Sequence, residues 1–133
     1  MNKKKRRVAV LLSATIGSAV LVLSGWSGQS GQTEKTLRVG VITYSQDDPF
    51  INALTDELKV HLKTMESEER RIIVSIKSGN DDQQEQNEKV EEMIDAGCDV
   101  LCVNLVDRTA PYRIIRMARN ENIPVIFFNR EPV

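Results

Sequence analysis

Four short apolar runs, at residues 37–43, 71–77, 99–106 and 125–128, alternate with three stretches of helical periodicity. The first run, LRVGVIT, is apolar on both of its alternating faces, as buried strands of parallel sheets are. Strand–helix alternation of this kind predicts an α/β domain with an open parallel sheet, right-handed crossovers and helices on both faces. With the first strand central, the expected strand order is 2-1-3-4. The carboxyl ends of strands one, three and four then share an edge, where ligands bind in sheets of this class.

The helical stretches have readable ends. Asp48 and Pro49 predict an N-cap and first turn, after which Phe50, Leu54, Leu58, Leu62 and Met65 recur at helical spacing. The second helix is expected over about residues 82–96, capped by Asn80 or Asp81, with Val90, Met93 and Ile94 inward. Gln84, Glu85, Gln86, Glu88, Lys89, Glu91 and Glu92 read as its solvated outer face. Gly97 is its expected stop. Pro111 starts the third helix, and Pro124 cannot extend it. Gly40, inside the first run, implies a close approach by a neighbouring element.

Charge divides the chain. Lys3, Lys4, Lys5, Arg6 and Arg7 precede residues 8–23, which carry no charge. All 19 acidic residues and the other 13 of 18 basic ones follow, a formal −6. A basic start, an apolar run and then Ser24, Gly25, Trp26, Ser27 and Gly28 form an export segment. Residues 1–25 read as a signal peptide or as a membrane anchor through 8–23, a run near spanning length. Leu23-Ser24-Gly25 is similar to a lipoprotein signal, but Trp26 stands where the lipidated Cys would be. Residues 26–36 read as a flexible linker, which leaves 37–133 as the folded body outside the cytoplasm. An acidic body with 5% aromatic residues offers no footprint for nucleic acid.

The loops at the predicted ligand edge carry Tyr44, Asp47, Asp48 and Phe50 after strand one, Asp107 to Thr109 after strand three, and Asn129 to Glu131 after strand four. An aromatic ring and a carboxylate at one strand end suit a ligand with apolar faces and hydroxyls. Other chemistry lacks its residues. No G-x-G-x-x-G or P-loop follows the first strand. Cys98 and Cys102 sit too far apart along an extended chain to pair, and read as small buried residues. His61 has no second His for a metal site. No nucleophile–base pair supports an enzyme. Asp47, Asp48 and Asp107 are reminiscent of a receiver-domain acid cluster. The pair, however, lies beyond the strand end, strand four ends in Asn129 with no Ser or Thr, and the chain is exported. Asp107 reads as a cap or turn residue.

The motifs VGVITYSQDDPF, NDDQQEQNEKVEEMIDAG, NLVD and FFNREP, ordered across residues 36–132, resemble the ribose-type (type I) periplasmic sugar-binding proteins of bacterial ABC transporters, in particular their galactose/glucose-binding branch. The resemblance implies two α/β lobes closing on a pyranose. Asp48 would accept hydroxyl hydrogen bonds, Phe50 would stack on the C–H face of the ring, Asn129 would offer its amide, and Tyr44 would line the cleft. The implied partners are a monosaccharide and an ABC transporter permease or chemoreceptor. Pro49 and Ser45-Gln46 vary the first loop, which leaves the sugar open. The resemblance puts the second lobe and the family's calcium loop outside these 133 residues. No cofactor or metal site is expected within them. The chain is expected to be an N-terminal fragment holding half a site, with weak or no sugar binding. The alternative is the sugar-sensing domain of a membrane-anchored signalling protein. A LacI-type regulator shares the fold but needs a helix-turn-helix where the export segment stands.

Overall fold

β1 (Lys35–Thr43) runs between β2 (Arg70–Ser78) and β3 (Val100–Val103), and β4 (Val125–Phe127) pairs with β3, all parallel, in the order β2-β1-β3-β4. α1 (Pro49–Thr64), α2 (Gln83–Asp95) and α3 (Tyr112–Asn120) form the crossovers. The computed structural model describes residues 34–133. The export segment, the anchor through 8–23 and the linker up to residue 33 lie outside the described residues.

Alternation along the central strands sorts side chains onto two faces. Val39 and Val41 pack with Ile72 toward α1, through Leu58 and Leu62. Ile42, Leu101 and Val103 pack with Val90, Met93, Ile114 and Ala118 of α2 and α3. Ile42, Val90, Leu101, Val103, Leu105 and Ile114 are each 0% exposed, and full burial of such side chains stabilises by roughly 1.5–3 kcal/mol apiece. Gly40 has the predicted role: a Cβ there would sit 3.1 Å from Leu101 Cδ2 and 3.4 Å from Met93 Sδ. Gly97, at φ 78°, follows the Ala96 C-cap of α2 in the left-handed conformation expected of it.

Several boundaries depart from the sequence reading. β1 begins at Lys35, inside the stretch read as linker, because Lys35 and Thr36 pair with Arg70 and Arg71. β3 ends at Val103, not at residue 106. Beyond it, the Leu105 N–H donates to the Arg130 carbonyl and the Val106 N–H to a side chain of α2, so neither continues the ladder. Asp82 caps α2, accepting from the Glu85 N–H at 2.8 Å. Asn80 and Asp81, the expected caps, are instead left-handed turn residues at φ 49° and 61°.

Leu54 and Met65 lie in the apolar series of α1 yet are 39% and 48% exposed. Met65 is the C-cap, past the packed turns. Leu54 borders an apolar hollow of about 320 Å³ with Thr55, Leu58, Cys102, Ile126 and Phe128, where α1 covers only part of its face of the sheet. Both cysteines are free, with Cys98 buried as expected and Cys102 half-buried beside this hollow.

Candidate functional site

The backbone after β1 turns sharply at Tyr44, and two interactions fix the turn. The Tyr44 N–H donates to Asn104 Oδ1 at 3.3 Å, and its carbonyl accepts from the Asp81 N–H at 2.7 Å. Ser45 Oγ donates to Asp81 Oδ2 at 2.8 Å, which ties the β1 loop to the β2 loop a second time. Asp48 then caps α1: its Oδ1 accepts from the N–H groups of Phe50 and Ile51 at 2.8 and 3.3 Å. Its other oxygen accepts from the Tyr44 hydroxyl at 2.6 Å.

This phenol bond, more than the backbone donors, holds the Asp48 carboxyl below the usual carboxylate range, against a smaller opposing effect of burial. The same bond, with burial, pushes the Tyr44 phenol above its ordinary value. Near neutral pH, Asp48 is therefore an ionised acceptor. Its Oδ2 has lone-pair capacity beyond the phenol bond, and charged acceptors bind hydroxyl donors more strongly than neutral ones.

Of the four predicted ligand residues, the structure joins Tyr44 and Asp48 directly. Phe50, two residues further, is 63% exposed at the start of α1. Asn129 is exposed at the end of β4 with φ 56°. Its neighbour Arg130 makes the link across the edge. The Arg130 guanidinium lies 4.6 Å from the Tyr44 ring centroid, a cation–π distance. Its Nε donates to the Leu105 carbonyl at 2.6 Å and its Nη2 to the Val106 carbonyl at 2.7 Å. Arg130 thus clamps the β3 loop while covering the β1 loop's aromatic ring.

Beneath these loops lies a buried polar bracket. Asn104 is 0% exposed. Its Oδ1 holds the Tyr44 N–H, and its Nδ2 donates to the Phe128 carbonyl at 3.1 Å. One amide therefore spans the carboxyl ends of β1, β3 and β4. Gln86, also 0% exposed, donates from Nε2 to the Asn104 carbonyl at 2.9 Å and accepts at Oε1 from the Val106 N–H at 3.0 Å. This corrects the sequence reading, which put Gln86 on the solvated face of α2. Gln86 stands four and seven residues before Val90 and Met93, in line with the buried stripe. That register was the available signal. It was outweighed by the polar run around it.

Arg130 was placed at this edge only as part of the loop 129–131, without a role, and Asn104 was read inside the third strand. Each sits inside one of the family motifs, FFNREP or NLVD, but its partners are far away in sequence. Asp107 has the turn role expected of it, its Oδ1 accepting from the Thr109 N–H and hydroxyl at 2.8 and 2.7 Å. Among the described residues, no group of three His, Cys, Asp or Glu side chains is placed to hold a metal ion.

The edge therefore presents an ionised acceptor, an exposed aromatic face, an exposed amide and a cation, on loops held by buried amides. Comparison with known proteins bears on what such an edge belongs to. The family model described as a periplasmic binding protein domain matches residues 39–133. The D-galactose/methyl-galactoside binding periplasmic protein of Haemophilus influenzae is 34% identical over 99 residues, covering 71% of this chain and 28% of that protein. An ABC transporter solute-binding protein from Mycobacterium smegmatis, solved with bound glycerol, has a TM-score of 0.63 at 27% identity, covering 70% of this chain and 31% of that one. The fructose-binding periplasmic domain of a hybrid two-component system has a TM-score of 0.56 at 27% identity, covering 71% and 32%. The chain thus spans less than a third of the length of these relatives, 28% of the galactoside-binding one. With its parallel β2-β1-β3-β4 sheet and the match over residues 39–133, the chain belongs to the periplasmic binding protein domain family.

Proposed function

We propose that residues 34–133 form one wall of a monosaccharide site in an extracytoplasmic solute-binding protein, which delivers a galactose- or glucose-like pyranose to an ABC transporter. The observation that carries this reading is the pairing of Asp48 and Phe50. An ionised acceptor held by the Tyr44 phenol stands two residues from an aromatic ring that is 63% exposed, at the carboxyl end of the central strand. A pyranose needs this combination: acceptors for its equatorial hydroxyls and a flat apolar face for its C–H groups. In this reading Asp48 accepts from sugar hydroxyls, Phe50 stacks on the ring, Asn129 donates its amide, and Tyr44 lines the cleft and orients Asp48. Arg130 holds Tyr44 in place. A wrong epimer would leave Asp48 or Asn129 desolvated without a partner, which is costly. The identity to the galactoside-binding relative supports a hexose.

Residues 1–25 act in this reading as the export segment and 26–33 as the tether. A sugar bound by one wall keeps much of its surface in water, so affinity is expected in the millimolar range, on the order of −4 kcal/mol. Titrating the isotope-labelled chain with D-galactose, D-glucose and myo-inositol tests this by amide shifts. Shifts confined to the loops after β1 and β4, and abolished in Asp48→Ala, are expected. Shifts elsewhere only, or shifts at these loops that persist unchanged in Asp48→Ala, would refute it.

A second reading is favoured by one observation, the likeness to the fructose-binding domain of a two-component system. There the same wall would serve a sensor anchored through residues 8–23. N-terminal sequencing of the exported protein separates the two: a new terminus between Gly25 and Gly31 supports the transport protein, and an intact start supports the anchored sensor.

A further inference from the structure

The loop between β2 and α2 also reaches the carboxyl edge of the sheet, and its path there is conformationally costly. Asn80 and Asp81 are consecutive left-handed residues, at φ 49° and 61°. Asn and Asp enter that region more readily than most residues, but still against crowding between Cβ and the backbone. Gly79, next to them, is not one of the left-handed positions. A Cβ there would sit 2.7 Å from Gln86 Cβ, so that glycine serves packing and not the turn.

The path brings Asp81 onto the β1 loop. Its N–H donates to the Tyr44 carbonyl at 2.7 Å, and its Oδ2 accepts from Ser45 Oγ at 2.8 Å. Ser45 is only 5% exposed, whereas Asp81 is exposed. Ser45 Oγ in turn accepts from the Asp47 N–H at 3.3 Å, one residue before the α1 cap. Gln46, between them, is held from α1, its carbonyl accepting from Asn52 Nδ2 at 2.9 Å. Neither neighbouring element needs the Asp81 carboxylate. The β1–β2 pairing ends at Thr43 and Ser78, α1 starts on Asp48 and Pro49, and α2 is capped by Asp82. What the tie does fix is the span from Tyr44 to Asp48, along which the phenol must lie to donate to Asp48 Oδ2.

We propose that Asp81 is a positioning residue for the sugar wall: through Ser45 it fixes the path from Tyr44 to Asp48, and so the place where the phenol meets the carboxylate. This role rests on the sugar reading of Asp48, but the loop it fixes is present without sugar. Backbone strain persists where the surrounding structure over-determines it, and here the left-handed turn is what carries the Asp81 carboxylate to Ser45. A binding wall gains from such bracing, because a loop already held in place loses less freedom when it closes on a ligand. The charge of Asp81 has a separate effect: it faces the Tyr44 phenol and raises its pKa. Charge and bracing therefore make opposite predictions when the carboxylate is removed.

The test uses the whole isotope-labelled chain and four variants. Ser45→Ala removes the relay without changing charge. Asp81→Gly removes the carboxylate at a φ that glycine adopts freely, so the melting temperature should change little. Asp81→Asn keeps an oxygen that can accept from Ser45, and is the rescue. Asp82→Ala removes the α2 cap and lowers the melting temperature without touching the β1 loop, which controls for general loss of stability. In Ser45→Ala and Asp81→Gly, backbone order parameters over residues 45–48 should fall from about 0.85 toward 0.6. The Asp48 carboxyl should also titrate at higher pH as its phenol bond loosens. In Asp81→Gly a pure charge effect would move that titration the other way, since losing a nearby negative charge lowers a carboxyl's pKa. Asp81→Asn and Asp82→Ala should keep wild-type order and should not raise the Asp48 titration. The affinity for D-galactose, read from amide shifts, should weaken at least about threefold in Ser45→Ala and Asp81→Gly. Wild-type order and titration in both of those variants would overturn the proposal, as would equal loosening in Asp82→Ala. The two readings fail separately: order and titration judge the positioning role in the free chain, and the sugar shifts judge the role of Asp48.

Discussion

Replacing Gln86 by Leu tests whether the carboxyl edge of the sheet is held by buried amides. The two side chains have similar volume, so packing is nearly conserved and the change falls on hydrogen bonds. Gln86 is 0% exposed and serves three backbone groups: the Val106 N–H at 3.0 Å, the Asn104 carbonyl at 2.9 Å and the Thr43 carbonyl at 3.4 Å. Thr43 keeps the Gly79 N–H at 2.8 Å. Val106 and Asn104 lose the partners that Gln86 supplies. An unpaired buried backbone group costs roughly 1–3 kcal/mol, so the variant is expected to lose about 2–4 kcal/mol. For a domain of this size that lowers the melting temperature by roughly 10–20 °C and the urea midpoint by more than about 1 M. Circular dichroism during thermal and urea unfolding reads both. Gln84→Leu, on the exposed side of the same helix, is the control and should stay within about 0.5 kcal/mol. Gln86→Glu adds a pH test. Protonated, that carboxyl can donate to Asn104 and accept from Val106. Ionised, it is a buried charge without a donor role. Its folded-state pKa should be raised above the ordinary value of about 4.3. Its stability should therefore be greatest below that value and lost as pH rises through the raised one. If Gln86→Leu melts with Gln84→Leu, the bracket does not hold the edge and this reasoning fails.

Other consequences can be checked separately. Gly79→Ala would place a Cβ 2.7 Å from Gln86 Cβ and 3.1 Å from Val106 Cγ2. Overpacking of that kind costs about 1–3 kcal/mol, to be seen in the same unfolding assay. In Tyr44→Phe the Asp48 carboxyl loses its main stabilising donor and should titrate at higher pH than in the wild type, as read from carboxyl carbon shifts. Because Asp48 is depressed in the folded chain, its contribution to stability is present above the ordinary Asp range and lost as pH falls through the depressed value. Tyr44→Phe should shrink that acid-side loss, and unchanged titration would show that the phenol does not hold the carboxylate. Burial pushes both Cys98 and Cys102 above the ordinary thiol value, with Asp99 adding to the shift at Cys98. Neither thiol should react readily with iodoacetamide near neutral pH until the chain unfolds, and fast labelling of the folded chain would contradict their placement.

Features of local origin are legible in the sequence. The parallel sheet follows from alternation and crossover handedness, and the two-sided apolar run 37–43 marks the central strand. Asp48 before Pro49, Gly97 after Ala96 and Asp107 before Thr109 act through neighbours within a few residues, so residue type and spacing suffice. The Asp48 and Phe50 pair is equally local, and its placement at the strand end follows from where the helix must start.

What sequence could not determine depends on pairs distant along the chain. Gln86 reads as one more polar residue in a charged helix until the ends of β1 and β3 are laid over it. Arg130 reads as a loop cation until Tyr44, far earlier in the chain, slides under its guanidinium. Asn104 reads as part of an apolar run until its amide meets the backbones of Tyr44 and Phe128. A backbone group released from a sheet must find another partner once buried. Where three strands end together, side-chain amides from outside the strands supply those partners. By itself, the sequence determined the scaffold and which loops share the carboxyl edge of the sheet. Tertiary structure alone decided which buried amides hold those loops and which cation covers the aromatic ring, because those bonds exist only after distant strand ends have been brought together.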